Sequence, residues 1–269
     1  MTILRSEREM TLPVVTSRLL AAQGWLSYGF TRRAEGMGLA DGNVSYSGGR
    51  DKDDAWSMRQ HWLEPLGLDP LAIVTTGQVH GNTVLPVEAA DRGRGAEPGS
   101  PIIGLADATM TDTTGLVLFS HHADCLPILL ADPVRRVVAV THAGWRGTVA
   151  DIAGETVRAM ADRYGSRPAD LLAFLGPAIS GDRYEVGPEV VAAWRAIPDA
   201  GPAAAWHGRG DRWQFDAVIA NESRLIAAGV LTVSIERSGI CTWESSADWF
   251  SHRAQGPSTG RFGAFIAIR

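Results

Sequence analysis

Two short apolar runs separated by four residues constrain this chain more than any other feature. Residues 127–131 and 136–141 are rich in leucine and β-branched side chains and have the length of buried strands. Between them lies Asp132-Pro133-Val134-Arg135, with proline where a type I turn wants a fixed φ. As the loop of an antiparallel hairpin, this tetrapeptide pairs Ala131 with Arg136. Counted outward in that register, Cys125 lies opposite His142, with Cβ atoms about 5 Å apart. A single bulge would shift the count by one residue. A thiolate and an imidazole at the open end of a hairpin suit two chemistries: a pair of metal ligands, or a nucleophile and its base. A plainer alternative stands beside both, with Cys125 a small buried hydrophobe and His142 a hydrogen-bonded core residue.

The rest of the chain bounds what such a hairpin can belong to. At 269 residues it can bury a full core, as one large domain or two small ones. No internal repeat, low-complexity tract or linker interrupts it, so a single domain over residues 1–269 is expected. Strand-like stretches (25–31, 71–75, 83–87, 106–111, 115–120, 171–175, 213–215, 231–236, 261–268) alternate with helical ones (53–66, 149–164, 188–197, 216–228). Residues 32–50, 91–101 and 200–210 read as loops. A net charge of −5 argues against nucleic acid or an anionic membrane surface as main partner. Two cysteines, Cys125 and Cys241, exclude a disulfide framework and point to a reducing compartment. The N-terminal stretch carries charges where a signal peptide needs an apolar core, and no run approaches the ~18 apolar residues of a membrane span. A cytoplasmic protein is expected.

A third candidate joins the hairpin pair. His80 sits between Val79 and Gly81 in a strand-to-strand turn, where a ring can face a cleft, although a lone histidine there is more often an exposed loop residue. His80, Cys125 and His142 together offer one sulfur and two nitrogens, a set zinc accepts while keeping a fourth position open. Asp124 would point to the other side of the strand as a structural residue. His121 and His122, adjacent on one strand, cannot both face one ion. After His142 come Gly144, Arg146 and Gly147, then a helix that Thr148 and Asp151 are expected to cap. Glycine backbone, a helix N-terminus and a guanidinium make a candidate phosphate site. His61, on the helix over 53–66, reads as part of a solvated face.

These residues sit in recognisable blocks. Gln78-Val79-His80-Gly81, Ala123-Asp124-Cys125-Leu126-Pro127 and His142-Ala143-Gly144-Trp145-Arg146-Gly147 resemble the signatures of the laccase-domain family, also called multicopper polyphenol oxidase-like or peptidoglycan editing factor. Gly176-Pro177-Ala178-Ile179 with Tyr184-Glu185-Val186-Gly187, and Phe250-Ser251-His252-Arg253 with Thr259-Gly260-Arg261, resemble its later blocks. The match runs from about Tyr28 to the C-terminus. The resemblance implies an α/β (α+β) fold of mixed β-sheets flanked by helices. It implies metal ligands at His80, Cys125 and His142, and substrate contacts at Asn43 and Arg59.

The implied activity is zinc-dependent phosphorolysis of purine nucleosides (adenosine, inosine, guanosine, methylthioadenosine), with deamination of adenosine. Copper is the less favoured metal: a four-copper oxidase needs on the order of ten histidines in His-x-His pairs, and this chain has seven and no such pair. Two other readings remain at this point. One is a peptidoglycan-precursor editing amide hydrolase using the same zinc. The other is a non-catalytic metal-binding partner of a larger complex.

Overall fold

The computed structural model describes residues 15–201 and 204–269; the N-terminal stretch read above for a leader lies outside them. The first strands are β1 (Leu26–Phe30), β2 (Ile73–Val74), β3 (Val84–Pro86), β4 (Ala108–Thr111), β5 (Val117–His122), β6 (Leu126–Asp132) and β7 (Val137–Ala143). They are followed by β8 (Leu172–Leu175), β9 (Glu185–Val186), β10 (Ala205–His207), β11 (Trp213–Phe215), β12 (Ile235–Arg237) and β13 (Phe262–Ile268). The helices are α1 (Arg18–Ala21), α2 (Lys52–Leu63), α3 (Trp145–Val149), α4 (Ile152–Tyr164), α5 (Pro188–Arg195), α6 (Ala217–Ala227) and α7 (His252–Gln255). Three sheets result: β1-β13-β5-β2, β12-β8-β6-β7-β4-β3 and the small β10-β11-β9. Parallel pairs β2·β5, β3·β4 and β8·β12 are mixed with antiparallel ones. The fold is the expected α+β domain of mixed sheets flanked by helices.

The period of two along a strand explains the layering. On β13, Phe262, Ala264 and Ile266 join Leu129 and Ala131 of β6 and Val138 and Val140 of β7 in one core between the two larger sheets. The alternate residues face outward. Phe265 and Ala267 pack with Phe119 against Met58, Trp62 and Leu63 of α2. Ile128 and Leu130 pack against Ile152, Val157 and Met160 of α4 and Leu225 of α6. Every residue of β6 and β7 is buried, which is why their sequences read as continuous apolar runs rather than alternating ones.

The hairpin itself differs from the expected register. Asp132 is the last residue of β6 and pairs with Val137. Its Oδ1 accepts from the backbone N–H groups of Val134 and Arg135, at 2.8 and 3.0 Å, and its carbonyl accepts from Arg136 N at 2.9 Å. The loop is therefore 133–136, with Arg136 at φ 57°. Pro127, not Cys125, lies opposite His142. The slip is two residues, so Cys125 and His142 keep the same face; a slip of one would have separated them.

Two further expectations need correction. The helix read over 149–164 is broken: α3 ends at Val149, and Asp151 (φ 64°) starts α4 by accepting from Gly154 N. Thr148 does not cap it; its hydroxyl donates to Gly144 O at 2.9 Å. Residues 200–210, read as loop, contain β10, because Ala205–His207 finds an antiparallel partner in β11.

Leu129, fully buried on the central strand, tests the layering. Leu129→Ala should lower unfolding free energy by about 2–5 kcal/mol in urea titration; a loss under about 1 kcal/mol would mean that the inter-sheet core is not packed there.

Candidate metal centre

The site lies where the chain crosses between the two large sheets. β5 ends at His122 in one sheet, and Leu126 starts β6 in the other. The crossing residues turn through Asp124 at φ 83°, one of the few non-glycine types that tolerate the left-handed region. Asp124 is held there by Thr242 Oγ1 and by the backbone N–H of Arg253, each donating to its carboxylate at 2.6 Å. Cys125 is thereby fixed at the mouth of β6, beside the end of β7 that carries His142.

His80 reaches the same point from a separate turn. Its backbone is left-handed (φ 60°), and the turn is tied to β5 by Gln78, whose amide donates to His121 O and accepts from His121 N. The carboxylate of Asp107, buried at the foot of β4, accepts from the backbone N–H groups of Val79, His80 and Gly81 at 3.2, 2.9 and 2.7 Å. The same carboxylate takes His142 Nδ1–H at 2.9 Å, which leaves His142 Nε2 facing the cluster. The donor atoms of His80, Cys125 and His142 all lie within 4.8 Å of one another. A thiolate and two imidazoles at that spacing, one imidazole oriented by a carboxylate, can hold a metal ion.

The electrostatics agree with that chemistry. Burial would raise the Cys125 thiol, but His142 and His80 outweigh it and bring it down to about 6. Burial would lower His142, but the Cys125 thiolate and Asp107 raise it to about 9. Burial alone would also raise Asp107, yet hydrogen bonds from His142 and the Gly81 and His80 amides keep it below the usual carboxylate value. His122 is neutral: it donates Nδ1–H to Cys125 O at 3.1 Å and its Nε2 accepts from Ser120 Oγ at 2.7 Å. Both its nitrogens are therefore occupied.

Gly144 is explained by close approach. A Cβ there would come to 2.6 Å from the His80 ring and 3.2 Å from Cys125 Sγ. At Gly147 a Cβ would meet Gly81 O at 2.8 Å, so this glycine lets α3 pack on the His80 turn and does not line the cavity. The cavity beside the cluster measures about 760 Å³, within the range of small-molecule sites; Tyr46, Arg59, Trp145, Tyr184, Arg253 and Arg261 contribute to its walls. Arg146 is exposed, its guanidinium over the Trp145 ring at 4.4 Å, and it does not line the cavity. Asn43 is fully buried and its amide is spent on Ser45 and on Arg261 N. Arg59 is buried and does reach the cavity wall. Asp107 went unnoticed in the sequence; a lone carboxylate in the apolar stretch 105–110 was the available signal.

The fold and site define an α+β protein with a His-Cys-His cluster in the lining of one cavity, His80 exposed and His142 buried. A family model described as multi-copper polyphenol oxidoreductase laccase matches residues 27–269, and the chain belongs to that family. A Bacillus subtilis protein named purine nucleoside phosphorylase YlmD is 34% identical over 81% of this chain and 79% of its own length. The Geobacillus stearothermophilus protein of the same name is 33% identical over 92% and 96%. The crystal structure of YlmD from Geobacillus stearothermophilus superposes with a TM-score of 0.88, covering 92% of this chain and 93% of that one.

Asp107→Asn should weaken metal affinity ten- to a hundred-fold, the usual effect of losing an outer partner of a metal-bound histidine, measured by chelator competition. In the native protein the same titration should strengthen roughly tenfold per pH unit from about 7 to 9, because His142 must lose its proton to bind and holds it until about 9. A flat profile would mean that His142 is not displaced from its proton by the metal.

Proposed function

We propose that the protein is a zinc-dependent purine nucleoside phosphorylase that also deaminates adenosine. The observation that carries this reading is the convergence of His80, Cys125 and His142 in the lining of a nucleoside-sized cavity, in a family with relatives named purine nucleoside phosphorylase. One thiolate and two imidazoles suit zinc with its fourth position open. Copper is less favoured because a four-copper oxidase needs on the order of ten histidines in His-x-His pairs, and this chain has seven histidines and no such pair.

Zinc held there would supply Lewis acidity to an oxygen at its open position. The chain's own residues do the rest. Asp107 fixes the His142 tautomer and the His80 turn, and Tyr184 and Trp145 offer aromatic faces for a purine. In phosphorolysis a phosphate oxygen bonds to ribose C1′ as the C1′–N9 bond breaks. The electron pair leaves with the purine, which takes up a proton, and ribose 1-phosphate is the other product. Deamination adds water at C6 of adenine and releases ammonia, with no phosphate required.

A second reading is favoured by one observation. Cys125, His142 and Asp107 are arranged in the order nucleophile, base, orienting acid, which would serve an amide hydrolase such as a peptidoglycan-precursor editing enzyme. The two readings part at Cys125. With zinc as resident metal, EDTA should abolish inosine phosphorolysis and expose Cys125 to iodoacetamide, while the metallated enzyme resists labelling. His142→Ala should remove both phosphorolysis and deamination. Fast alkylation of the fully metallated, active protein at Cys125 would instead favour the hydrolase.

A further inference from the structure

The cavity wall carries more positive charge than the protein itself neutralises. Arg59, Arg253 and Arg261 line it against a single carboxylate, Asp124. Both Asp124 oxygens are already engaged, by Thr242 and by the backbone of Arg253. None of the three guanidiniums forms an ion pair with a carboxylate among the described residues. For Arg59 this is unusual, since it is only 1% exposed and buried charges are ordinarily paired. Burial pulls its pKa down to about 10, so it stays charged at neutral pH.

The donors show which edges are free. Arg59 gives Nε–H to Val44 O, its Nη1 hydrogens to Gly95 O and Ala96 O, and one Nη2 hydrogen to His121 Nε2, at 2.7–2.9 Å. It also stacks on the Tyr46 ring at 3.9 Å. One Nη2 hydrogen remains. Arg261 is anchored through Nη1 alone, to Thr259 O and Gly260 O at 2.7 and 2.8 Å. Its Nε/Nη2 edge, the fork that matches two oxygens of one phosphate, has no partner among the described residues. The two arginines are braced together: Asn43 Oδ1 accepts from Arg261 N, Val44 N donates to Arg261 O, and Val44 O accepts from Arg59. Asn43 is thus a positioning residue for this wall. Arg261 and Arg59 line the same cavity as His80, Cys125 and His142, so the wall stands beside the metal cluster.

We propose that the cavity holds a phosphate dianion on the free edges of Arg59 and Arg261, and that Arg146 takes no part. In the phosphorolysis reading, on which this assignment of a co-substrate rests, the dianion is inorganic phosphate; the phosphoryl group of a nucleotide presents the same chemistry. Arg146 is exposed, and α3, at five residues, is too short to serve as an anion site.

The test is calorimetric titration of the zinc-loaded protein with inorganic phosphate and, separately, with inosine 5′-monophosphate. Arg261→Gln should bind inorganic phosphate roughly ten- to a hundred-fold more weakly, the scale of a lost charge-assisted pair of hydrogen bonds, with zinc content and Tm unchanged. Arg146→Ala should bind as the native protein does. A gain for the monophosphate over inorganic phosphate that vanishes in Arg261→Gln would keep the subsite and assign it to a nucleotide. In the native protein, phosphate should shield Arg261 from 2,3-butanedione, read by peptide mass spectrometry, a measurement that needs no variant to fold. Native-like binding by Arg261→Gln, no phosphate binding at all, or shielding at Arg146 instead would overturn the proposal. Phosphate binding through Arg261 in a protein that leaves inosine intact would retain the subsite and reject phosphorolysis.

Discussion

Three backbone amides and one imidazole converge on the carboxylate of Asp107, and the geometry of the candidate metal centre depends on that convergence. The amides belong to Val79, His80 and Gly81; the imidazole is His142. One buried anion therefore sets the position of two of the three donor side chains, which arrive from unconnected parts of the chain. It also selects the His142 tautomer that turns Nε2 toward Cys125. The third donor depends on a second carboxylate, Asp124, held in a left-handed turn by Thr242 and Arg253. Both acids fix backbone, and Asp107 also holds the His142 ring directly.

The hairpin was legible because both of its strands are buried on two faces, so β6 and β7 stand out as unbroken apolar runs. Its register was not, because Asp132 looked like a turn residue and is also the last residue of β6. The pairing of Cys125 with His142 survived that error only through the parity of the slip. The helix break at Ala150–Asp151 was hidden for a similar reason. Thr148 and Asp151 have the spacing of a cap, but Thr148 bonds back to Gly144 while Asp151 caps alone. Local patterns of this kind have several solutions, and tertiary packing chooses among them.

The substrate side was the less legible half. Gly144 does line the cavity, but the space at its Cα is taken by His80 and Cys125, and Gly147 packs on the turn at Gly81 outside it. Arg146 lies next to this turn in sequence and outside the cavity in space. The arginines that do line the cavity are Arg59, on α2, and Arg253 and Arg261, close together near the C-terminus. Local spacing does not connect Arg59 with the other two; only the fold brings them to one wall. Asn43, buried with both ends of its amide hydrogen-bonded to backbone, holds its position by bracing two of these elements.

Charge links the two halves of the site. Cys125 lines the cavity, and so do guanidiniums that have no carboxylate partner among the described residues. Such a pocket favours a cation at one end and an anion at the other, the arrangement that metal-assisted attack by phosphate requires. The central claim is that His80, Cys125 and His142 are ligands to one zinc ion. X-ray absorption at the metal edge of the purified protein tests it most directly. The account predicts about one zinc per chain, with one sulfur near 2.3 Å and two nitrogens near 2.0–2.1 Å, the sulfur vanishing in Cys125→Ser. A protein without stoichiometric metal, or a metal shell lacking sulfur in the native chain, would contradict it.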